Sequence, residues 1–235
     1  FILFTLILLF QLPVYAQQER DVFTIGLQAH ISNPYTINQN NYESLRDCPT
    51  VNGSELAYDR TIKPGASLKI AYNWSKNWGV SGAIEYVGKG QNYKDTFRPG
   101  GDCGNKYKVT RRIDLHYLQL PLYAQYRARI NKKFHYVIDL GFYVAALLGG
   151  DEEVVSGGQR LDDIDPIEFK YQSYDAGLST QHTFRYAVTR KFFVSAGIRI
   201  DAGLSDINST EVQRLDWYDE VGNDYEKTFN LSWGL

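Results

Sequence analysis

Charged side chains recur at the polar positions of segments in which apolar and polar residues alternate. Eight of them could form ion pairs or perform acid–base chemistry: Lys69, Glu85, Arg127, Asp139, Asp175, Arg185, Arg199 and Asp201. Lys89 belongs to the same pattern. Because an ion removed from water must be paired, we expect these opposite charges to pair with one another. The sequence therefore predicts a structural charge network, in preference to an ion pathway or a catalytic centre.

The histidines give no sign of a metal site or of a catalytic site. His30, His116, His135 and His182 do not have the spacing of metal ligands. No nucleophile with an adjacent base can be recognised either. We therefore expect no enzymatic activity, no catalytic residue, no metal and no cofactor.

The segments that carry these residues alternate with a period of two. In residues 192–204, Val194, Ile198 and Ile200 share one face, whereas Ser195 and Arg199 share the other. Such alternation indicates a β-strand with one apolar face and one polar face. The strands are about 11–15 residues long, against about 5–6 in ordinary sheets. Long strands with charges, glycine and serine on the polar face favour an apolar outside and a polar inside.

Short basic turns alternate with long polar connections. The turns are Ser75-Lys76-Asn77, Asn131-Lys132-Lys133 and Thr189-Arg190-Lys191, and the long connections run over about 32–61, 91–110, 149–170 and 205–224. The predicted strands are 22–31, 62–74, 78–90, 111–128, 134–148, 171–188, 192–204 and 225–235. We predict an all-β fold, an eight-stranded antiparallel up-and-down transmembrane β-barrel with short periplasmic turns and long extracellular loops. The fourth strand changes parity after Tyr117, which predicts a bulge near Tyr117 and Leu118.

Aromatic residues gather beside the short turns, where a membrane-interface girdle belongs. The predicted girdle consists of Tyr72, Trp74, Trp78, Phe134, Tyr136, Tyr186, Phe192 and Trp233. The alternative is that aromatic residues simply favour strands.

The long connections contain two cysteines and two acidic stretches. Cys48 and Cys103 lie in the first two connections, on the same side of the membrane, and an oxidising compartment favours a disulfide between them. The acidic residues are Asp151, Glu152, Glu153, Asp162, Asp163, Asp165 and Glu168 in 151–168, and Asp206, Glu211, Asp216, Asp219, Glu220 and Asp224 in 206–224. Such oxygen ligands could bind Ca²⁺, but neither stretch has the spacing of a known calcium loop, so a solvated charged surface is the preferred interpretation.

Residues 1–16 have the features of a secretory signal peptide clipped at its N-terminus. An apolar run of ten residues is followed by Pro13 and then by Val14-Tyr15-Ala16, which resembles a cleavage site. Residues 17–235 form the predicted outer-membrane β-barrel domain. With 25 basic and 27 acidic residues, the net charge of −2 argues against a nucleic-acid partner. We therefore expect the bacterial outer membrane as the location.

The segment Tyr117-Leu118-Gln119-Leu120-Pro121-Leu122-Tyr123-Ala124-Gln125-Tyr126-Arg127 resembles the PorT-like outer-membrane β-barrel family of Bacteroidetes. Tyr174-Asp175-Ala176-Gly177-Leu178 and Gly203-Leu204-Ser205-Asp206-Ile207-Asn208 are similar to that family as well. The resemblance implies an eight-stranded barrel. It also implies a family of mixed function, in which a founding member serves type IX protein secretion.

The sequence thus predicts a non-enzymatic barrel with a plugged lumen, acting as a subunit or accessory of a larger cell-envelope complex such as a secretion system. Its expected partners are outer-membrane lipid, lipopolysaccharide and other envelope proteins. Three alternatives remain at this point: a lipid-modifying enzyme on a small barrel, a small porin, and a ligand-binding barrel, including a soluble one with its apolar face inward.

Overall fold

The computed structural model describes residues 23–37, 57–97, 107–156, 159–160, 167–189, 192–210 and 227–235. In these ranges the chain forms eleven strands and one helical turn: β1 (Phe23–Ile37), β2 (Ala57–Asp59), β3 (Lys63–Asn73), β4 (Trp78–Lys89), β5 (Asn92–Phe97), β6 (Tyr107–Arg129), β7 (Phe134–Ser156), β8 (Gln159–Arg160), α1 (Ile167–Lys170), β9 (Tyr174–Ala187), β10 (Phe193–Gly203) and β11 (Phe229–Gly234). No helix in the described ranges is long and apolar enough to cross a membrane.

Eight of the strands form a closed antiparallel ring. The order around the ring is β1, β3, β4, β6, β7, β9, β10 and β11, and β11 pairs with β1 to close it. Each strand therefore pairs with its neighbours along the chain, as in an up-and-down barrel. This confirms the predicted all-β fold of eight antiparallel strands. The remaining strands are short: β2 pairs with β5, which pairs with residues 107–112 at the start of β6, and β8 pairs with the end of β7.

The apolar face of the ring points outward. In β3, Leu68 and Ile70 are 42% and 49% exposed, whereas Ser67 and Lys69 on the other face are buried. β10 follows the same rule, with Ile198 exposed and Asp201 buried. A soluble barrel would place the apolar face inside, so the arrangement suits a barrel surrounded by lipid.

The predicted bulge lies on a different strand. The β6–β7 register shifts between His116 and Tyr117, and the residue without a partner is Leu148 of β7. β6 itself keeps one parity, so Ile113, Leu115 and Tyr117 all point inward and are buried. We call the end of the barrel away from the short turns the upper end. The parity prediction was wrong because the lumen is apolar at this upper end, so apolar residues there face inward.

Pro121 interrupts pairing on one side of β6. The β4–β6 ladder passes directly from the pair Gly82–Leu122 to the pair Glu85–Gln119. Proline has no amide hydrogen to donate, so a gap in the ladder is expected at this position.

Two segments outside the ring close its upper end. We call residues 167–173 and 205–209 the strap, because a bridge between Tyr171 and Asn208 joins them. Ile167, Tyr171 and Ile207 of the strap pack in one buried cluster with the inward apolar residues of β6 and β7. The strap thus forms a lid of packed side chains over the lumen.

β11 is shorter than the predicted final strand. It pairs with residues 32–37 of β1 and with residues 199–202 of β10. Leu235 then exchanges two backbone hydrogen bonds with Ile31. β11 therefore occupies the upper part of the ring, away from the short turns.

Candidate functional site

The lumen is crossed by charged groups at three heights. At the lowest level, Lys69 Nζ lies 2.7 Å from Asp139 Oδ2 and 2.9 Å from Gln181 Oε1. Ser81 and Gln125 donate hydrogen bonds to the other oxygen of Asp139. The carboxylate is fully buried and is satisfied by one cation and two neutral donors.

Arg199 forms the middle level. Its Nη1 lies 2.6 Å from Glu85 Oε2, and its Nε lies 2.9 Å from Asp201 Oδ1. Ser179 and Gln119 also donate to Asp201. A small cavity of about 20 Å³, lined in part by Arg199 and Asp201, lies beside this level. A space of that size has room for about one water molecule.

Asp175 organises the upper level. It accepts hydrogen bonds from Lys89 Nζ at 2.7 Å, Ser205 Oγ at 2.7 Å, Asn230 Nδ2 at 3.1 Å and Tyr143 Oη at 3.2 Å. The Lys89 ammonium also lies 4.3 Å from the centre of the Tyr143 ring, within the range of a cation–π interaction. Through Ser205, this level joins the strap to the barrel wall.

These contacts connect opposite sides of the barrel. β4 and β10 are four places apart in the ring of eight, so Glu85 and Arg199 reach each other across the bore. β3 and β9, which carry Lys69 and Gln181, are also four places apart. Six of the eight predicted charges, Lys69, Glu85, Asp139, Asp175, Arg199 and Asp201, therefore take part in contacts inside the lumen.

Arg127 and Arg185 lie below these levels. Arg127 is half-buried and its Nε contacts the carbonyl oxygen of Lys76 at 3.4 Å. Arg185 is partly buried on β9, where it pairs with His135 of β7 and Ser195 of β10. Both arginines thus belong to the lower end of the lumen.

Another ion cluster, above the three levels, was missed by the sequence reasoning. Glu152 is buried between Arg111 Nη1 at 2.9 Å and Lys170 Nζ at 3.2 Å. Glu152 was assigned to an exposed acidic loop, whereas it lies in β7. The unpaired Leu148 reverses the parity of β7, so Glu152 faces inward although Asp139 and Tyr143, at odd positions, also face inward. The alternation of the sequence gives no signal of that reversal.

The four histidines occupy four separate places. His30 and His135 belong to the lumen-facing sides of β1 and β7. His116 and His182 lie on the outer face, where Nδ1 of each contacts a tyrosine hydroxyl, of Tyr86 at 2.8 Å and of Tyr136 at 2.7 Å. In the described residues no group of three or more His, Cys, Asp or Glu could hold a metal ion.

Most of the predicted aromatic girdle lies at the end of the barrel that carries the short turns. Six residues there are exposed on the outer face: Tyr72, Trp74, Trp78, Phe134, Tyr186 and Phe192. Tyr136 is half-buried beside them. Trp233 does not belong to this group, because it pairs with Asn33 and Ile200, well above the turns. Its position was predicted incorrectly because the register of β11 with β1 and β10 cannot be read from local alternation.

The remaining predicted features are only partly described. In the acidic stretches, Glu153 contacts Arg112 at 3.3 Å, and Asp206 accepts hydrogen bonds from the amides of Asn208 and Thr228. Cys48, Cys103, the signal peptide at 1–16 and acidic residues Asp162, Asp163, Asp165, Glu211, Asp216, Asp219, Glu220 and Asp224 lie outside the described residues, as does the side chain of Glu168.

The chain has a family match and similarities to solved structures. Residues 15–209 match the family described as outer membrane protein beta-barrel domain. The chain is also similar to the crystal structure of Ail, the attachment invasion locus protein of Yersinia pestis, with 13% identity and a TM-score of 0.41 over 90% of this chain and 93% of that one. The structure of Ail in complex with the heparin analogue sucrose octasulfate gives the same values. No curated protein matches the chain. Since the family match covers most of its length, the chain belongs to the outer membrane protein beta-barrel domain family and is a bacterial outer-membrane protein.

Proposed function

We propose that this protein is a non-enzymatic, non-conducting barrel that acts as a subunit or accessory of a larger cell-envelope complex. The single observation that carries the proposal is the bridge between Arg199 and Glu85 across the bore. Together with the levels above and below it, this bridge occupies the lumen with paired groups. A barrel of eight strands has only enough interior for such side chains.

A conducting or catalytic role is poorly supported by these contacts. The carboxylates of Asp139, Asp175 and Asp201 each accept at least three hydrogen bonds, so none is held free for an ion or a substrate. The strap adds an apolar layer at the upper end. The surfaces left for specific recognition are the outer wall and the two ends.

The resemblance to PorT-like proteins supports a secretion accessory as the finer version of the proposal. The stretch that carries it, residues 117–127, places Gln119, Tyr123 and Gln125 in the lumen. They contact Asp201, Ser179 and Asp139 respectively. These residues brace the charge network, so the stretch that carries the resemblance also helps to fill the lumen of this barrel.

Two measurements test the proposal. The purified protein in planar bilayers should show no stable channels, because each ion pathway is crossed by paired charges. Gentle extraction from native membranes should recover the barrel together with other envelope proteins in constant proportion. Steady ion-selective currents would make a small porin the better assignment, and recovery only as an isolated chain would remove the case for a complex.

A further inference from the structure

The short turns lie at one end of the barrel and share one local hydrogen bond. Each turn begins with a polar residue whose side chain accepts a hydrogen bond from the amide three residues later. Ser75 Oγ accepts from Trp78 N at 2.9 Å, Asn131 Oδ1 from Phe134 N at 2.9 Å and Thr189 Oγ1 from Phe192 N at 3.1 Å. Local side-chain to backbone bonds of this kind stabilise tight turns.

The residues that follow Ser75 and Asn131 are exposed cations. Lys76, Lys132 and Lys133 are all exposed, and Arg129 is half-buried beside them with its Nε bonded to the carbonyl oxygen of Asn131. In the described ranges the Asp or Glu nearest to this end is Asp139, which lies inside the lumen and is paired with Lys69. Among the described residues, this end of the barrel therefore carries cations and no carboxylate.

The cations lie next to the aromatic residues of the outer wall. Lys76 lies between Trp74 and Trp78 in the sequence, and both indoles are about half exposed, at 49% and 52%. Lys133 Nζ lies 5.8 Å from the centre of the Tyr186 ring. Exposed aromatic rings mark the depth of the membrane interface. Lysines one or two residues beyond them lie at the depth of the lipid phosphates, which their long side chains can reach.

From this placement, we propose that the turn lysines Lys76, Lys132 and Lys133 bind the headgroups of anionic phospholipids in the periplasmic leaflet of the outer membrane. Short turns of outer-membrane barrels lie on the periplasmic side, which fixes the leaflet. The two turns belong to β3–β4 and β6–β7, two places apart in the ring, so the lipids bind around the rim and not at one point. The proposal concerns the rim and is independent of the role proposed for the lumen.

The test uses the tryptophans beside the turns as reporters. Trp74 and Trp78 are two of the four tryptophans, so the other two, Trp217 and Trp233, are replaced by phenylalanine in every sample. The protein is refolded into mixtures of phosphatidylglycerol and phosphatidylcholine in which one lipid carries brominated chains. Quenching of tryptophan fluorescence then gives the relative association constant of the two lipids.

The decisive comparison is between two triple variants that remove the same charge. The first is Lys76→Gln/Lys132→Gln/Lys133→Gln. The control is Lys94→Gln/Lys108→Gln/Lys227→Gln, whose lysines are exposed at the opposite end of the barrel. One lysine near an anionic surface favours binding by about fivefold. We expect the relative association constant for phosphatidylglycerol to fall at least about fivefold in the turn variant, to stay unchanged in the control, and to fall in the parent protein at high salt.

Heat-modifiable migration on gels establishes that each variant is folded. Equal association of the two lipids with the parent protein would overturn the proposal and would leave an acidic periplasmic protein as the better partner for this end. The same conclusion would follow if the folded turn variant kept the preference of the parent.

Discussion

Arg199 and Glu85 lie on opposite sides of the barrel, yet their side chains meet: Arg199 Nη1 is 2.6 Å from Glu85 Oε2. The pair joins β10 to β4, which are not neighbours in the sheet. It therefore stabilises the closed ring in a way that backbone hydrogen bonds between adjacent strands cannot.

Replacing Glu85 by alanine should destabilise the barrel strongly. The change leaves the buried guanidinium with Asp201 as its remaining carboxylate, and loss of one partner from a buried pair costs about 3–5 kcal/mol. Because Asp201 remains, we expect a value near the lower end of that range. Urea unfolding in lipid vesicles, followed by tryptophan fluorescence, measures the change.

The matched control is Glu153→Ala, which removes an ion pair whose arginine side chain is 55% exposed. An exposed pair contributes about 0–1 kcal/mol. If the two variants lost the same stability, the cross-bore pair would have no special structural role.

The outward and inward faces of β10 predict different losses of stability when glutamate is placed at two nearby positions. Ile198 is 49% exposed on the outer wall, whereas Ser195 faces the lumen side and pairs with Arg185 of β9. Arginine at a lipid-facing site costs about 2–4 kcal/mol, and a carboxylate costs less. Ile198→Glu should therefore lower stability by about 2 kcal/mol, whereas Ser195→Glu should be neutral or favourable beside Arg185.

The measurement is the free energy of unfolding in vesicles, supported by heat-modifiable migration on gels. Equal tolerance of glutamate at both positions would contradict the assignment of an outer and an inner face.

The strap should contribute to stability through Ile207, which is fully buried at the upper end of the lumen. Ile207→Ala removes buried methyl groups and leaves a cavity, which costs about 2–5 kcal/mol. Ile62→Ala is the control, since that side chain is 54% exposed and lies outside the cluster. A loss of stability no greater than that of the control would show that the strap is not packed into the barrel. Thermal unfolding of both variants decides this.

A disulfide between Cys48 and Cys103 remains a prediction from the sequence. Both cysteines lie outside the described residues. On the chain-entropy model, closing a loop of this length stabilises the folded state by about 4 kcal/mol. Mass spectrometry of peptides prepared without reduction should recover the cross-linked pair from native membranes. Finding both thiols free would refute the bridge.

The sequence by itself determined which segments form strands and, in residues 192–204, which side chains face outward. Alternation with a period of two is a local property, since successive side chains of a strand point to opposite faces. Residues 192–204 therefore predicted correctly that Ile198 is exposed and Asp201 buried. The short turns and long connections then predicted eight antiparallel strands, because antiparallel neighbours can be joined by a few residues.

Only the tertiary structure decided which charged side chains meet. It also decided where along a strand the apolar residues face the lumen instead of lipid. Arg199 and Glu85 are 114 residues apart in the sequence, and their contact depends on the closure of the whole ring. Ile113 and Tyr117 face inward because the strap provides an apolar layer above the charged levels. Local alternation cannot distinguish the lumen from lipid where both are apolar, and so only the packing of the strap fixed the orientation of these residues.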